Sequence, residues 1–191
     1  MAIDRDRIAA AVREILAAIG EDASREGLRE TPTRVADAMA ELYAGVGVDA
    51  TAGLRDSGST ADVVSNDPVI VRDLTFRSMC EHHLLPFHGV AHIAYEPTDT
   101  VLGLGRIARV LETISSRPQV QERIGLEVCA ALTAGAGASG AIVVLDARHD
   151  CVASRGARQA EASAVTVTAT GTLTAEPSRS AILTLIGRGD G

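Results

Sequence analysis

Two short segments carry side chains suited to chemistry. Cys80-Glu81-His82-His83 sets a thiol and an imidazole two residues apart, a spacing with which one turn can present thiolate and imidazole to the same ion. Much further along, His149-Asp150-Cys151 adds a second thiol beside another imidazole. Cys80, His83 and Cys151 together make a Cys2His set that leaves one tetrahedral position open, as catalytic zinc requires. Spacing alone also allows a closed structural site with His82 or His149 as fourth ligand, or a chance grouping of cysteines and histidines. Cys129 falls in the helical run Leu126 to Leu132 and reads as a core residue. His88 reads as a loop histidine and His92 as a strand-face histidine, neither a ligand.

Positive charge is the second chemical signal. Arg106 and Arg109 lie three apart at the start of a helical pattern, just after Gly103-Leu104-Gly105. Residues three apart share a helix face, and a helix N-terminus favours anions. A solvated surface face is the plain alternative. Gly103-x-Gly105-x-x-Ala108 loosely fits a dinucleotide fingerprint, but Pro97-Thr98-Asp99 break the segment where the preceding strand would have to be. The glycine-rich stretch Ala134 to Gly140 lacks the Gly-Lys-Ser/Thr ending of a phosphate loop and reads as a helix stop and turn. Arg188-Gly189-Asp190 reads as a frayed tail.

The elements that must position these groups follow from periodicity. Ile8, Ala11, Val12, Ile15, Leu16 and Ile19 recur at helical spacing from Asp4, with Gly20 as the stop. Thr31-Pro32 opens a second helix. Residues 44–67, rich in Gly, Ala, Asp, Ser and Thr, show no period and read as a linker. Strands are expected at Val69 to Thr75, Gly89 to Tyr95, Ala141 to Ala147 and Ala164 to Leu173. Two helices, Arg106 to Ser115 and Pro118 to Ala134, fall between the second and third strands. This order predicts an α+β fold with an antiparallel sheet covered on one face. The expected division is an N-terminal helical region at 1–45, a linker at 46–67 and the α+β domain at 68–191.

Composition narrows the partners. The 191 residues carry a formal net charge of -7, which argues against nucleic acid and anionic membranes. Hydrophobic residues reach 46% with aromatics at only 2%, so small aliphatic side chains must build the core, a composition that favours extra burial by oligomerisation. The charged start, Met1-Ala2-Ile3-Asp4-Arg5, has no signal-peptide character, and no apolar run approaches the roughly 20 residues of a membrane span. Three cysteines suit a reducing compartment better than a disulfide scaffold. A soluble, cytoplasmic protein is expected.

Ser78-Met79-Cys80-Glu81-His82-His83-Leu84-Leu85-Pro86-Phe87, Gln119-Val120-Gln121-Glu122-Arg123 and His149-x-Cys151 with Arg155-Gly156 resemble the GTP cyclohydrolase I family. Gly20-Glu21-Asp22, Arg25-Glu26-Gly27-Leu28 and Thr31-Pro32-x-Arg34-Val35-Ala36 are similar to it as well, so the likeness runs from about Ile15 to Gly171.

The resemblance implies a zinc enzyme that opens the imidazole ring of GTP, giving 7,8-dihydroneopterin triphosphate and formate. Cys80, His83 and Cys151 would hold Zn2+. His82 and His149 would move protons, with His149 serving N7 of guanine. Glu122 would accept the N–H donors of the guanine edge and Gln121 would add a polar contact. Arg106, Arg109 and Arg155 would meet the triphosphate. The implied fold is the tunnelling fold, ββααββ units whose strands pair across subunits, assembled as a toroidal homodecamer with sites at subunit interfaces. If so, Glu122 and the zinc set could come from different chains.

The chain departs from the family at Gly105-Arg106, where Ser-Lys is usual. Arginine keeps the charge but changes the phosphate geometry, and the serine hydroxyl is lost. A paralogue acting on a modified purine nucleotide is therefore a second reading, and a non-enzymatic protein with a structural zinc is a third.

Overall fold

The computed structural model describes residues 3–55, 67–99 and 101–187. At the N-terminus, α1 (Arg5–Ala18) is capped by Asp4, whose side chain accepts the Arg7 N–H at 3.0 Å. It buries Ala9, Val12 and Leu16 and packs against α2 (Thr31–Leu42), which has Pro32 in its first turn. The cap of α2 is Glu30, with no side-chain hydrogen bond.

The expected linker is structured as far as it is described. Gly45 donates its N–H to the Ser116 carbonyl at 2.8 Å. The one-turn helix α3 (Ala52–Arg55) buries Leu54 completely in the main core. Residues 56–66, the rest of that linker, lie outside the described residues, as does the Arg188–Asp190 tail.

Four long or medium strands follow: β1 (Val69–Cys80), β2 (Pro86–Glu96), β4 (Gly140–His149) and β5 (Ala164–Gly171). Between β2 and β4 the chain forms α4 (Leu104–Ser115), the two-residue strand β3 (Pro118–Gln119) and α5 (Gln121–Ala136). The sheet runs β3-β1-β2-β4-β5. Its long pairs are antiparallel, but β3 runs parallel to β1, joining Met79 to Pro118 and Cys80 to Gln119. The sheet is therefore mixed, and α5 begins at Gln121 rather than Pro118. Extending residues 118–120 gives the end of β1 a hydrogen-bonding neighbour where the zinc-like motif begins.

Alternation along the strands separates two cores. Phe87, Ala91, Ile93 and Tyr95 of β2 and Ala141, Val143, Leu145 and Ala147 of β4 face α4 and α5. On the opposite face, Ala94, Ile142 and Val144 meet Leu173, Ile182 and Ile186. The last two belong to α7 (Ser178–Gly187), which follows a 3-10 turn at Thr172–Thr174. The sheet is thus covered on both faces, on the second only in part, and not on one face as its alternation suggested. No helix among the described residues is long and apolar enough to cross a membrane.

One close approach holds the centre of the sheet. A Cβ on Gly89 of β2 would lie 1.9 Å from the Asp146 carbonyl oxygen and 2.7 Å from Ala147 Cα. Both are backbone atoms of β4 and cannot swing aside. Gly89→Ala is expected to cost about 1–3 kcal/mol, read as a lower thermal midpoint. An unchanged midpoint would show that the two strands slide apart freely.

Candidate metal centre and active site

Three strand ends and two short segments build the site. β1 ends at Cys80 and β4 at His149, with β2 hydrogen-bonded between them: Ser78 pairs with Phe87, and Phe87 pairs with His149. The turn 81–85 carries His82 and His83, and the one-turn helix α6 (Asp150–Ala153) carries Cys151. Ligand atoms of Cys80, His83 and Cys151 all lie within 4.8 Å of one another. All three cysteines are free thiols.

That donor set fits a divalent cation. Burial first, and then the neighbouring Cys80, push the Cys151 thiol upward, because two thiolates at such separation repel unless a cation lies between them. Among the described residues His82 and His149 stand outside the cluster, so three protein donors converge. Cys129 is fully buried, and desolvation pushes its thiol up to about 11, as expected of an inert core residue. His92 accepts the Asp73 N–H on Nδ1 at 3.2 Å, at a bulge in β1, and serves the strand rather than the site.

His149 is held from two sides. Its ring stacks on that of Phe87, centroids 4.6 Å apart and planes 4° from parallel. Its Nε2 lies 2.8 Å from Gln121 Oε1. The Gln121 NH2 group donates to the carbonyls of Leu145 (3.0 Å) and Ala164 (2.8 Å), which can only accept. The amide oxygen must therefore face His149, so Nε2 carries the hydrogen and Nδ1 keeps the lone pair. Burial lowers the pKa of His149, and the Glu122 carboxylate partly offsets this.

These contacts place two of the expected site residues. Gln121 is 2% exposed with its amide engaged by protein; it points inward from the first turn of α5 and meets the His149 ring. Glu122, the next residue, acts electrostatically on His149 of its own chain. It borders an open groove with Leu126 and β5 residues Thr166 to Ala169.

The arginines divide. Arg155 is exposed and close enough to Cys151 to favour its thiolate. Arg106 and Arg109 lie elsewhere, lining a cavity of about 240 Å³ with Asp49, Gly53 and Thr113. Arg106 donates to the Gly53 carbonyl at 2.7 Å. Cys80, His83 and Cys151 do not border that cavity.

Two features escaped sequence reasoning. Phe87 has an apolar role in the core that hides its stacking on His149. Arg123 of α5 grips Glu81 through both nitrogens, Nη1 to Oε2 at 2.5 Å and Nη2 to Oε1 at 3.2 Å, and this holds the Glu81 carboxyl below its ordinary value. The only sequence signal was opposite charge in two separate motifs.

The family model described as GTP cyclohydrolase I matches residues 8–187. A protein named GTP cyclohydrolase 1 from Leifsonia xyli subsp. xyli is 53% identical over 186 residues, covering 97% of each chain. Proteins of the same name are 45% identical in Streptococcus pneumoniae (88% of this chain, 90% of that one) and 44% in Streptococcus sanguinis (90% and 91%). With a match spanning both the helical hairpin and the sheet that carries the site, the chain belongs to the GTP cyclohydrolase I family.

Proposed function

We propose that this chain is a zinc-dependent GTP cyclohydrolase I, converting GTP and water to 7,8-dihydroneopterin triphosphate and formate. The observation that carries the proposal is the arrangement of Cys80, His83 and Cys151 around a common point, with His149 oriented beside them. Zinc held there would supply Lewis acidity that makes water a nucleophile near neutral pH.

The chain's own groups account for proton movement and recognition. Neutral His149, its Nε2–H committed to Gln121, has Nδ1 free to take a proton from water attacking C8 of guanine. The same proton can pass to N7 as the ring opens, and the nearby Glu122 carboxylate favours the transient imidazolium. Phe87 and Gln121 keep the ring from rotating between the two transfers. Glu122 offers a carboxylate for the paired N–H donors of the guanine edge, and Arg155 offers charge to the triphosphate. His82, exposed on the metal-bearing turn, is assigned to the later proton transfers.

Arg106 and Arg109 need a second subunit to reach this site. We assign them to a neighbour's triphosphate contacts in a ring of tunnelling-fold subunits, the toroidal decamer. The support, among the described residues, is an unpaired β5 edge with Val165 60% and Val167 40% exposed, and an outer edge of β1 paired near Met79 and Cys80 alone. Mixing an inactive Cys151→Ser variant with an inactive Arg106→Ala/Arg109→Ala variant, after dissociation and reassembly, is expected to restore part of the activity. No recovery in reassembled mixtures would place all these groups in one chain.

The deciding experiment incubates zinc-loaded protein with GTP and follows formate and the pterin chromophore together. Both products are expected. Neither product, with zinc bound and the assembly intact, would favour a modified purine nucleotide as substrate. Formate without pterin would place the defect in the later rearrangement.

A further inference from the structure

We propose that the Glu81–Arg123 pair is a clamp that holds the Cys80–Leu85 turn in register with the first turn of α5. Both are positioning residues: they touch each other across the site and leave catalysis to their neighbours. Its functional meaning rests on reading Cys80, His83 and Cys151 as the metal site.

The turn has little else to fix it. Residues 81 to 84 are all exposed, so no burial of side chains holds them down. Leu84 has φ +52°, a left-handed conformation that a branched residue adopts only where its surroundings impose it. Backbone bonds close the turn on itself, Leu84 N–H to Cys80 O at 2.8 Å and Cys80 N–H to Leu85 O at 2.9 Å. Those bonds set its shape but not its placement against α5. Placement comes from the Glu81 N–H, which donates to Gln119 O at 3.1 Å, and from the two-pronged Arg123–Glu81 contact. A fork-to-fork pair fixes orientation as well as distance.

The position of Arg123 in sequence gives the clamp its use. Successive residues on a helix point about 100° apart, so Gln121, Glu122 and Arg123 fan out from one turn in three directions. Gln121 orients His149, Glu122 faces the groove, and Arg123 holds the turn that bears His82 and His83. One helical turn thereby sets the spacing between the proton-transfer histidine, the carboxylate and the metal-bearing turn. A half-exposed ion pair adds little to global stability, and the clamp does not require that it should.

Zinc affinity by chelator competition and amide exchange of Leu84 in metal-free protein test the clamp in Arg123→Gln and Glu81→Gln. Electrostatics alone predicts that removing the Arg123 cation tightens zinc binding. The clamp predicts the opposite, zinc weakened about 10–100-fold with faster Leu84 exchange. The charge-swapped pair Glu81→Arg/Arg123→Glu is expected to recover most of both losses. Unchanged or tighter zinc binding in Arg123→Gln, or a swap no better than the single variants, would overturn the proposal. Should Arg123→Gln fail to fold, the near-isosteric Glu81→Gln decides by the Leu84 exchange rate. If the unmodified chain binds no zinc through Cys151, the metal reading fails by itself, and Leu84 exchange still decides whether the clamp exists.

Discussion

His149→Ala is expected to give a folded, zinc-loaded protein whose kcat falls by about 10²–10⁴ while KM for GTP stays nearly constant. The size is that of a positioned proton-transfer group, and its appearance in kcat follows from the timing of the interaction. The proton reaches N7 only as the ring opens, so the loss falls on the transition state and not on ground-state binding. Zinc should be retained because His149 stands outside the donor cluster. The fold should survive because His149 is only partly buried at the end of β4, and its ring contacts are Phe87 and Gln121. Gln121→Ala should move in the same direction, releasing the ring to its other tautomer. Metal analysis, thermal unfolding and steady-state kinetics on one preparation separate these effects. Near-normal turnover would remove His149 from the chemistry and leave its stacking on Phe87 as packing alone.

The same strand ends show what could be read from the sequence and what could not. The apolar alternation of β1, β2 and β4 was legible through Thr75, Tyr95 and Ala147, yet each strand continues to a polar terminus: Cys80, Glu96 and His149. Cys80 and His149 are candidate site residues whose side chains answer to chemistry, and Glu96, at the far end of β2, accepts from Ser139; none of the three follows the alternation. Pairing with a neighbour keeps them extended instead, as Ser78 does with Phe87 and Phe87 with His149. β3 was invisible for a similar reason: two residues have no period, and only the edge of β1 calls for them. α7 carried no expectation from the sequence, and its partner face on the sheet becomes evident only with the register of β2 against β4.

The donor residues were legible because cysteine and histidine at short spacing have few other uses. The contacts of residues 121–123 were not, since a sequence does not fix which way three successive helix positions point. Gln121 was expected at the ligand and is buried against two carbonyls. Arg123, which bore no assignment, spans the site to Glu81.

Cys151→Ser is expected to release zinc and abolish turnover while leaving the thermal unfolding of the metal-free protein almost unchanged. The activity loss should exceed the roughly 10–100-fold that an outer contact to a metal ligand costs, since a donor itself is gone. Fold survival follows from where the ligand sits. The main core is built by β2, β4, α4 and α5, and Cys151 packs only at its margin from a one-turn helix. A serine there removes no core side chain, and it replaces a thiol that burial first, and then Cys80, push upward. Zinc should still raise the apparent stability of the unmodified chain, because any ligand that binds only the folded state does so. That increment should vanish in Cys151→Ser, leaving the metal-free midpoint as the common floor. The opposite pattern, Cys151→Ser and the chelated wild type both lacking a folded state and any unfolding transition, would mean that the ion builds the fold as structural zinc does. The three-donor geometry argues against that outcome: a structural site closes its fourth position with protein, and here the two histidines of the same motifs, His82 and His149, stay outside the cluster.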